Sequence, residues 1–591
     1  MNLPQLNEIT TSRSMIDVFK GYNHNLRIGD GEFYDMQNLT SNDYPVLSPR
    51  SERGVYAEPT NPQGLIAKDS LCYIDCEVED NEFGAKFYLN GNEVEGFTLS
   101  SKAEDLPKTL VSMGAYIIIM PDKKYINTEK PDTDRGNIEA SVDTAGIVTF
   151  ELCKLDGEGY GNPPKNDEAP LNPQNLDLWI DTSSVPHTLK QYSTANAMWV
   201  AIATTYIKIS ATGIGKPFNE GDGVTISGIN REDLQDLNNT MVIWAKGDDY
   251  IVVTGILDTV YSQEEPIKVE RLMPILDFVI ESENRLWGCH YGIARNGQVV
   301  NEIYCSKLGD FKNWNCFAGI STDSYVASVG TDGQFTGAIT HLGYPLFFKE
   351  NCVHKVYGNY PANYQIQTTT CRGVQKGCSR SLAIVNEVLY YKSRSGVCAY
   401  DGSLPAEMSA ALGDVIYSDA VAGSIGNKYY ISMADTTGTH RLFAYDTKKG
   451  MWHKESNTYV RAFCNCRGDL YFIDDADNKI KTVLGTGTKE PNPIMWMAET
   501  GVLGASLPDK KYISRLDIRM SLKIGTRVYF YIQYDSSGEW EHLFTMTGRN
   551  LRSFAVPIRP KRCDHFRLRI EGVGDAKIFS ICETLEQGSD K

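Results

Sequence analysis

The feature that most constrains this chain is a strand pattern that occurs twice in succession between residues 423 and 483. The first copy has aromatic and β-branched runs at 428–433 and 441–446 and a shorter run at 451–453, separated by turn residues. The second copy repeats the first two runs at 469–473 and 479–483. Such runs predict small antiparallel meanders. Because a meander of this size cannot bury its own faces, the repeat predicts a β-propeller.

The same pattern recurs elsewhere in the chain. Counting the two copies above, there are seven, at 71–91, 110–126, 285–306, 344–357, 388–402, 428–453 and 469–483. We therefore predict an all-β fold with a β-propeller of about seven blades, two from residues 61–154 and five from residues 271–489. Residues 1–60 contain short extended pieces punctuated by proline and glycine, which predicts an N-terminal arm joining the propeller.

Three other segments depart from the repeat. Residues 155–175 are rich in Asp, Glu, Pro, Asn and Gly, which predicts a linker. Residues 176–270 hold five short strand candidates, which suit an inserted small β-barrel-like domain. Residues 490–591 alternate between apolar and polar side chains with a period of two. This alternation predicts a C-terminal β-sandwich with one buried face and one solvent-exposed face.

The polar side of this C-terminal segment is basic. It carries Arg515, Arg519, Arg567 and Arg569, which are the candidate interaction residues. The formal charge of the 591-residue chain is -17, which argues against DNA binding by the whole surface. A protein partner and nucleic acid are equally compatible with the four arginines, and so is a solvated face that binds nothing.

Composition also bears on the compartment. The 14 cysteines show no pairing framework and are expected to be buried small hydrophobes with reduced thiols. The N-terminus has no apolar signal segment, and no run reaches the ~18 apolar residues of a membrane span. The sequence thus predicts synthesis in the cytoplasm and no contact with a membrane.

The sequence contains no complete catalytic or metal-binding motif. The chain has no GxSxG, HExxH or Walker A sequence. Asp474, Asp475 and Asp477 resemble part of a calcium loop, but they lack its later glycine and terminal glutamate, and a hairpin turn explains them. These observations predict no catalytic residues, no metal site and no cofactor, and a protein that is not an enzyme.

The arm carries a resemblance to a known family. Residues 31–54, with Phe33, Asn38, Leu39, Pro45, Leu47, Pro49 and Arg50 at the matching positions, resemble the opening of bacteriophage tail-nozzle and tail-hub proteins. The plan of a broken propeller, an inserted small domain and a terminal β-sandwich is similar too.

The resemblance implies a virion structural protein, made in the host cytoplasm, that acts in tail assembly and DNA ejection. It implies a homo-oligomeric ring, expected to be a hexamer, below the portal and adaptor. The ring would contact other tail proteins, and genomic DNA would pass through its lumen.

Two alternatives remain open at the level of sequence. One is a propeller at a tail tip that binds a receptor or a glycan. The other, given less weight, is a polysaccharide hydrolase, which would need paired carboxylates ~5–10 Å apart in a pocket. The sequence does not place Asp and Glu side chains well enough to test that requirement.

Overall fold

The computed structural model describes residues 10–79, 82–489, 493–505, 507, 510–547 and 551–587. This described part of the chain is all-β, as expected, and its only helical pieces are short 3-10 turns. They lie at Ala103–Asp105, Glu232–Leu237, Pro361–Asn363, Ser379–Ser381 and Ala410–Leu412. No helix in these residues is long and apolar enough to cross a membrane. The chain forms two compact units, Met1–Leu110 with Phe348–Val353 and Thr369–Lys591, and Val111–Phe347 with His354–Thr368.

The first unit contains four of the predicted meanders, three as small sheets and one as part of a larger sheet. The strands of one are Pro62–Lys68, Ser70–Glu79, Glu82–Leu89 and Asn92–Leu99. Those of the next are Ala383–Val385, Val388–Lys392, Val397–Tyr400 and Ala406–Glu407. A third group has Ser418–Ile425, Lys428–Ala434, His440–Asp446 and Met451–Ser456. The fourth has Val460–Cys466, Asp469–Asp474 and Ile480–Thr482, continued by Gly54–Ala57 and Thr488–Lys489.

Neighbouring sheets of this unit share apolar cores. Leu71 and Tyr73 of the first sheet are buried in one cluster with Tyr471 and Ile473 of the fourth. A second cluster joins Tyr430 and Ala444 to Val460, Leu470 and Phe472. Full burial of an aliphatic or aromatic side chain contributes about 1.5–3 kcal/mol. The meanders at 62–99, 418–456 and 460–482 therefore gain stability from a neighbouring sheet, as the repeat required.

The other three predicted meanders lie in the middle of the chain. Their strands are Thr109–Met113, Tyr116–Met120, Lys124–Asn127 and Arg135–Asn137; Phe278–Ser282, Arg285–Ile293, Val299–Cys305 and Tyr325–Ser328; and Gly337–His341, Tyr344–Lys349, Cys352–Tyr357 and Gln365–Thr370. Within the second unit, Val111 and Ile118 share a core with Leu286. Another core joins Trp287 to Phe347. The same stacking thus operates in both units.

The inserted domain is larger than the sequence predicts. Its strands are Ala140–Asp143, Val148–Cys153, Lys165–Asn166, Leu178–Asp181, Thr188–Ser193, Met198–Ala201, Tyr206–Ser210, Gly223–Ser227, Thr240–Val242, Ala245–Lys246, Tyr250–Thr254, Tyr261–Gln263 and Lys268–Arg271. They form three sheets, and one buried cluster of side chains extends from Val148 to Val269.

The predicted boundary at residue 176 is therefore wrong, and so is the linker at 155–175. The strand Val148–Cys153, predicted to belong to the first blades, lies between Tyr206–Ser210 and Tyr261–Gln263 in a sheet of the inserted domain. Lys165–Asn166 pairs with Leu178–Asp181. The polar segment that suggested a linker is thus part of this domain, which occupies residues 140–271.

The N-terminal arm is built into the C-terminal module. Thr11–Ile16 forms the edge of a four-stranded sheet with Ala576–Gln587, Lys511–Leu522 and Arg552–Val556. Glu32–Gln37 pairs with Met495–Thr500, and that sheet continues through Phe566–Val573, Arg527–Tyr534 and Glu541–Thr547. The predicted module of residues 490–591 is thus incomplete by itself, because the arm supplies a strand to each of its sheets.

The arm also links this module to a meander. Gly21–Tyr22 pairs with Glu32–Gln37 on one side and with Met451–Ser456 on the other, through Tyr22 and Trp452. The meander at 418–456 and the larger sheet of the module are thereby joined into one ten-stranded sheet. A short pair, Leu39–Thr40 with Ser48–Pro49, follows in the arm.

Candidate functional site

The four predicted arginines do not share one face. Arg515 and Arg519 lie on Lys511–Leu522 in the four-stranded sheet, whereas Arg567 and Arg569 lie on Phe566–Val573 in the ten-stranded sheet. The prediction of a single basic face is wrong, because the alternation of each strand shows which side chains are polar and not which sheet the strand joins.

Arg567 and Arg569 are both bound to one buried carboxylate, that of Glu499. An Nη2 of each guanidinium lies 2.8 Å from a Glu499 oxygen. Only 8% of the Glu499 side chain is exposed, against 17% of Arg567 and 30% of Arg569. Arg567 also stacks over the ring of Tyr34 at 4.4 Å, and Arg569 over Trp540 at 4.3 Å. These two arginines therefore brace the module internally.

Ring contacts of the arm extend these interactions from Tyr34 to the 418–456 meander. The rings of Tyr34 and His24 stack with centroids 4.3 Å apart, and His24 stacks on Tyr22 at 5.8 Å. Tyr22 in turn meets Phe443 of the 418–456 meander at 5.6 Å. A continuous row of rings and guanidinium groups thus connects the module, the arm and the meander. No local pattern in the sequence reveals this row, because its members lie up to about 550 residues apart in the chain.

The residues that carry the family resemblance lie at the same junction. Phe33, Leu39 and Leu47 are buried. Asn38 donates its backbone N–H to the carbonyl of Glu455 at 2.8 Å and its side-chain Nδ2 to the carbonyl of Met495 at 2.8 Å.

Arg50 completes this junction. Its Nε donates to Asn38 Oδ1 at 2.8 Å and lies 4.0 Å from Glu455 Oε2. Arg53 Nη2 lies 3.3 Å from the same Glu455 oxygen. Asn38 has a φ of 54°, a conformation that asparagine tolerates better than most residues. The sequence signature therefore has a local physical reason: it fastens the arm between the 418–456 meander and the module.

Arg515 and Arg519 remain as surface charges. Thr584 is paired with Arg515 on one side and with Arg13 on the other, and Arg519 is paired with Ser580. Paired residues and alternate residues of a sheet share a face, so the three arginines point outward together. Arg515 lies 2.7 Å from Asp517 of the same face, whereas Arg519 has no ion pair among the described residues. We call Arg13, Arg515 and Arg519 the basic face.

The three aspartates that resemble a calcium loop are each bound to a cation. Lys481 Nζ lies 2.8 Å from Asp474 and 2.9 Å from Asp477, and Arg461 Nε lies 2.6 Å from Asp475. In the residues that the structure describes, no group of three or more His, Cys, Asp or Glu side chains is arranged to hold a metal ion.

The cysteines behave as the sequence suggests. All 14 are free thiols, and only Cys371 and Cys464 are partly exposed. Burial raises the pKa of Cys72 to about 12, which keeps it protonated at neutral pH. The same cause raises the pKa of Cys464 to about 12. These thiols are therefore poor nucleophiles.

Comparison with known proteins gives no family. No family model matches the chain, and no curated protein matches it. Similar solved structures include Raptor from Chaetomium thermophilum, at 9% identity and a TM-score of 0.24 over 74% of this chain and 30% of that one. The exo-β-1,3-galactanase of Phanerochaete chrysosporium matches at 8% identity and a TM-score of 0.21, over 52% of this chain and 94% of that one. Trypanosoma rangeli sialidase matches at 10% identity and a TM-score of 0.19, over 97% and 95%.

The present chain thus spans about 30% of the Raptor chain that it matches. TM-scores this low carry no argument about its reaction, substrate or partners. The prediction that the chain is not an enzyme is nevertheless contradicted, because glycoside hydrolases and a sialidase are among the similar structures, and it is withdrawn. Its physical basis was weak, since a glycosidase needs two carboxylates placed by the fold and no short motif reveals such a pair.

Proposed function

We propose that this protein is a structural component of a bacteriophage tail, a nozzle or hub ring in the virion. Its neighbours would be the portal, the adaptor and other tail proteins, and genomic DNA would pass through the lumen. The observation that carries the proposal is the arm junction. The residues shared with the nozzle and hub family, above all Asn38 and Arg50, bind the arm to two distant parts of the chain.

The proposal includes a propeller of seven blades, two before the inserted domain and five after it. It is supported by the small antiparallel sheets found at the seven repeat positions and by the apolar cores that neighbouring sheets share. A propeller provides a rigid body whose surface loops can contact several neighbours at once. Rigidity of this kind suits a ring that has to hold its shape around a passing DNA duplex.

The basic face is the contact that we propose between neighbouring chains of the ring. It is exposed, it lies on a rigid sheet, and the chain as a whole is acidic with a formal charge of -17. Opposite charges steer such surfaces together and set the register of the contact. A stable interface needs about 800 Å² from each partner, which a module of this size can offer.

Electron microscopy of the purified protein tests the ring. We expect negative-stain images to show closed rings of one order, six in the simplest case. Antibodies against the protein should then label the tail of the virion and no other part. A protein that stays monomeric at all concentrations and is absent from virions would contradict the proposal.

A further inference from the structure

A polar cavity lies beside the 383–407 sheet. Its volume is about 480 Å³, within the ~300–1,000 Å³ typical of ligand sites. Its lining includes Asn25, Lys392, Arg394, Glu407, Ser409 and Asp414. The cavity is lined by residues of the turn at 392–397 and of the segment at 407–417, together with Asn25 of the arm and Met433 of the 418–456 meander.

Lys392 is the most unusual group in this cavity. Its side chain is almost wholly buried, at 3% exposure. Its Nζ donates to Gln375 Oε1 at 2.8 Å and to the carbonyl oxygen of Ser393, both of them neutral acceptors. Among the described residues no carboxylate forms an ion pair with it. Burial lowers the pKa of Lys392, and the nearby charge of Glu407 offsets only part of the cost of desolvating the ammonium.

In the part of the chain that the structure describes, the acidic residues of the cavity lining are Glu407 and Asp414, and neither forms an ion pair with Lys392. Glu407 already receives a hydrogen bond from Arg372 at 2.8 Å, so its charge is balanced there. Asp414 is exposed and lies on the same 407–417 segment of the lining. Both carboxylates can therefore accept hydrogen bonds from hydroxyl groups of a ligand in the cavity.

The walls of the cavity are also well fixed. Asn25 Nδ2 donates to the carbonyl of Ala410 at 2.9 Å, which holds the arm against the 407–417 segment. Ser409 Oγ accepts the backbone N–H of Val397 at 3.0 Å. A Cβ on Gly396 would lie 2.0 Å from that hydroxyl oxygen, so glycine is required for the turn to approach it. A site with such fixed walls loses little entropy when it binds a ligand.

We propose that this cavity binds a sugar acid, a small ligand with one carboxylate and several neighbouring hydroxyl groups. The ligand carboxylate would bind Lys392, with Arg394 at the rim, and its hydroxyls would donate to Glu407 and Asp414. A neutral sugar would leave the buried ammonium only partly compensated by Glu407, and a simple anion would leave the two carboxylates without donors. The site is thus selective for a ligand that carries both groups. It does not depend on the proposed ring, so either proposal can fail alone.

Isothermal titration calorimetry with the full-length protein tests this site. The probes are sodium glucuronate and N-acetylneuraminate, with methyl glucoside as the neutral sugar and inorganic phosphate as the anion without carbon-bound hydroxyls. We expect at least one sugar acid to bind at least tenfold more tightly than either control. No binding of either sugar acid at 10 mM, roughly the weakest useful affinity, overturns the proposal. Equal binding of phosphate overturns it as well.

Variants then locate the binding. Lys392→Gln should weaken the sugar acid about tenfold or more, as expected for loss of a charge-assisted hydrogen bond. Lys376→Gln, which changes an exposed lysine outside the cavity lining, should leave the affinity unchanged. If Lys392→Gln does not fold, Arg394→Gln replaces it, because Arg394 is 68% exposed and has only a 3.9 Å ion pair. A folded variant of either residue with wild-type affinity overturns the assignment.

Discussion

The inserted domain and the C-terminal module obtain their strands in different ways. Among the described residues, the inserted domain takes every strand from the continuous stretch 140–271, and its buried cluster contains no residue from outside that stretch. The C-terminal module needs Thr11–Ile16 and Glu32–Gln37 from the far end of the chain. A continuous domain can be found, folded and removed by itself. A module that needs strands from a distant arm cannot be folded or removed by itself. Its free energy of unfolding also depends on how firmly the arm is bound.

The largest effect should come from separating each region from the rest of the protein. A fragment of residues 138–273 should fold and unfold in one cooperative transition, because it retains its whole core. A fragment of residues 493–587 should stay unfolded or aggregate, because two sheets then present unpaired edges. Circular dichroism with thermal melting compares them. A cooperative transition of the second fragment without the arm would remove the distinction.

The next effect concerns the buried carboxylate that braces the C-terminal module internally. Glu499→Gln leaves Arg567 and Arg569 without their shared counter-charge and should cost about 3 kcal/mol, as for other pairs broken on one side. Asp517→Asn is the matched control, since its partner Arg515 is 66% exposed and such surface pairs contribute only about 0–1 kcal/mol. Chemical denaturation measures both. Equal losses would mean that the internal brace contributes no more than a surface ion pair.

A smaller effect is expected at the arm signature itself. Asn38→Ala removes hydrogen bonds to Met495 and Arg50 and places alanine at a φ of 54°, so we expect a loss of about 2–3 kcal/mol. Asn38→Gly removes the same hydrogen bonds but accepts that conformation, and should cost about 1 kcal/mol less. Denaturation midpoints give the difference. If both variants have the same denaturation midpoint as the wild type, the signature has no role in holding the arm.

The smallest effect is a pH dependence at the arm's first strand. Ser14 Oγ donates to Glu583 Oε1 at 2.8 Å, and burial raises the pKa of Glu583 above its ordinary value. Between the ordinary and the raised pKa the unfolded chain is ionised while the folded chain keeps the proton. Stability therefore falls as the pH rises through that window.

Glu583→Gln removes this titration, so the variant should lose less stability than the wild type over the pH range above the ordinary pKa of a glutamate. Melting temperatures over this range compare the two proteins. Parallel curves would show that Glu583 does not titrate differently in the folded state.

Local patterns of residues explain which parts of this fold could be read from sequence. The strands 428–434 and 469–474 are recognisable because aromatic and β-branched residues dominate them and turns bound them. The strand Val148–Cys153 has the same local character as a blade strand, so nothing local shows that it belongs to the inserted domain. Its partners at 206–210 and 261–263 decide that, and pairing at such distances leaves no local signal.

The candidate interaction residues also show that a local pattern does not reveal contacts between distant parts of the chain. Alternation correctly marks Arg515, Arg519, Arg567 and Arg569 as lying off the apolar side of their strands. It does not reveal Glu499, which neutralises two of them, nor Arg13, which joins the other two on one face. Only the exposed pair on Lys511–Leu522 retains the role that we proposed for all four.

Mass photometry of charge-reversal variants tests the proposed ring contact most directly. Arg515→Glu with Arg519→Glu reverses two charges on the basic face, and Arg527→Glu with Lys561→Glu makes the same change at exposed residues outside that face. We predict that wild type and control form the ring, whereas the first variant stays monomeric with an unchanged melting temperature. A first variant that assembles as the wild type does would contradict the basic face as the contact between chains.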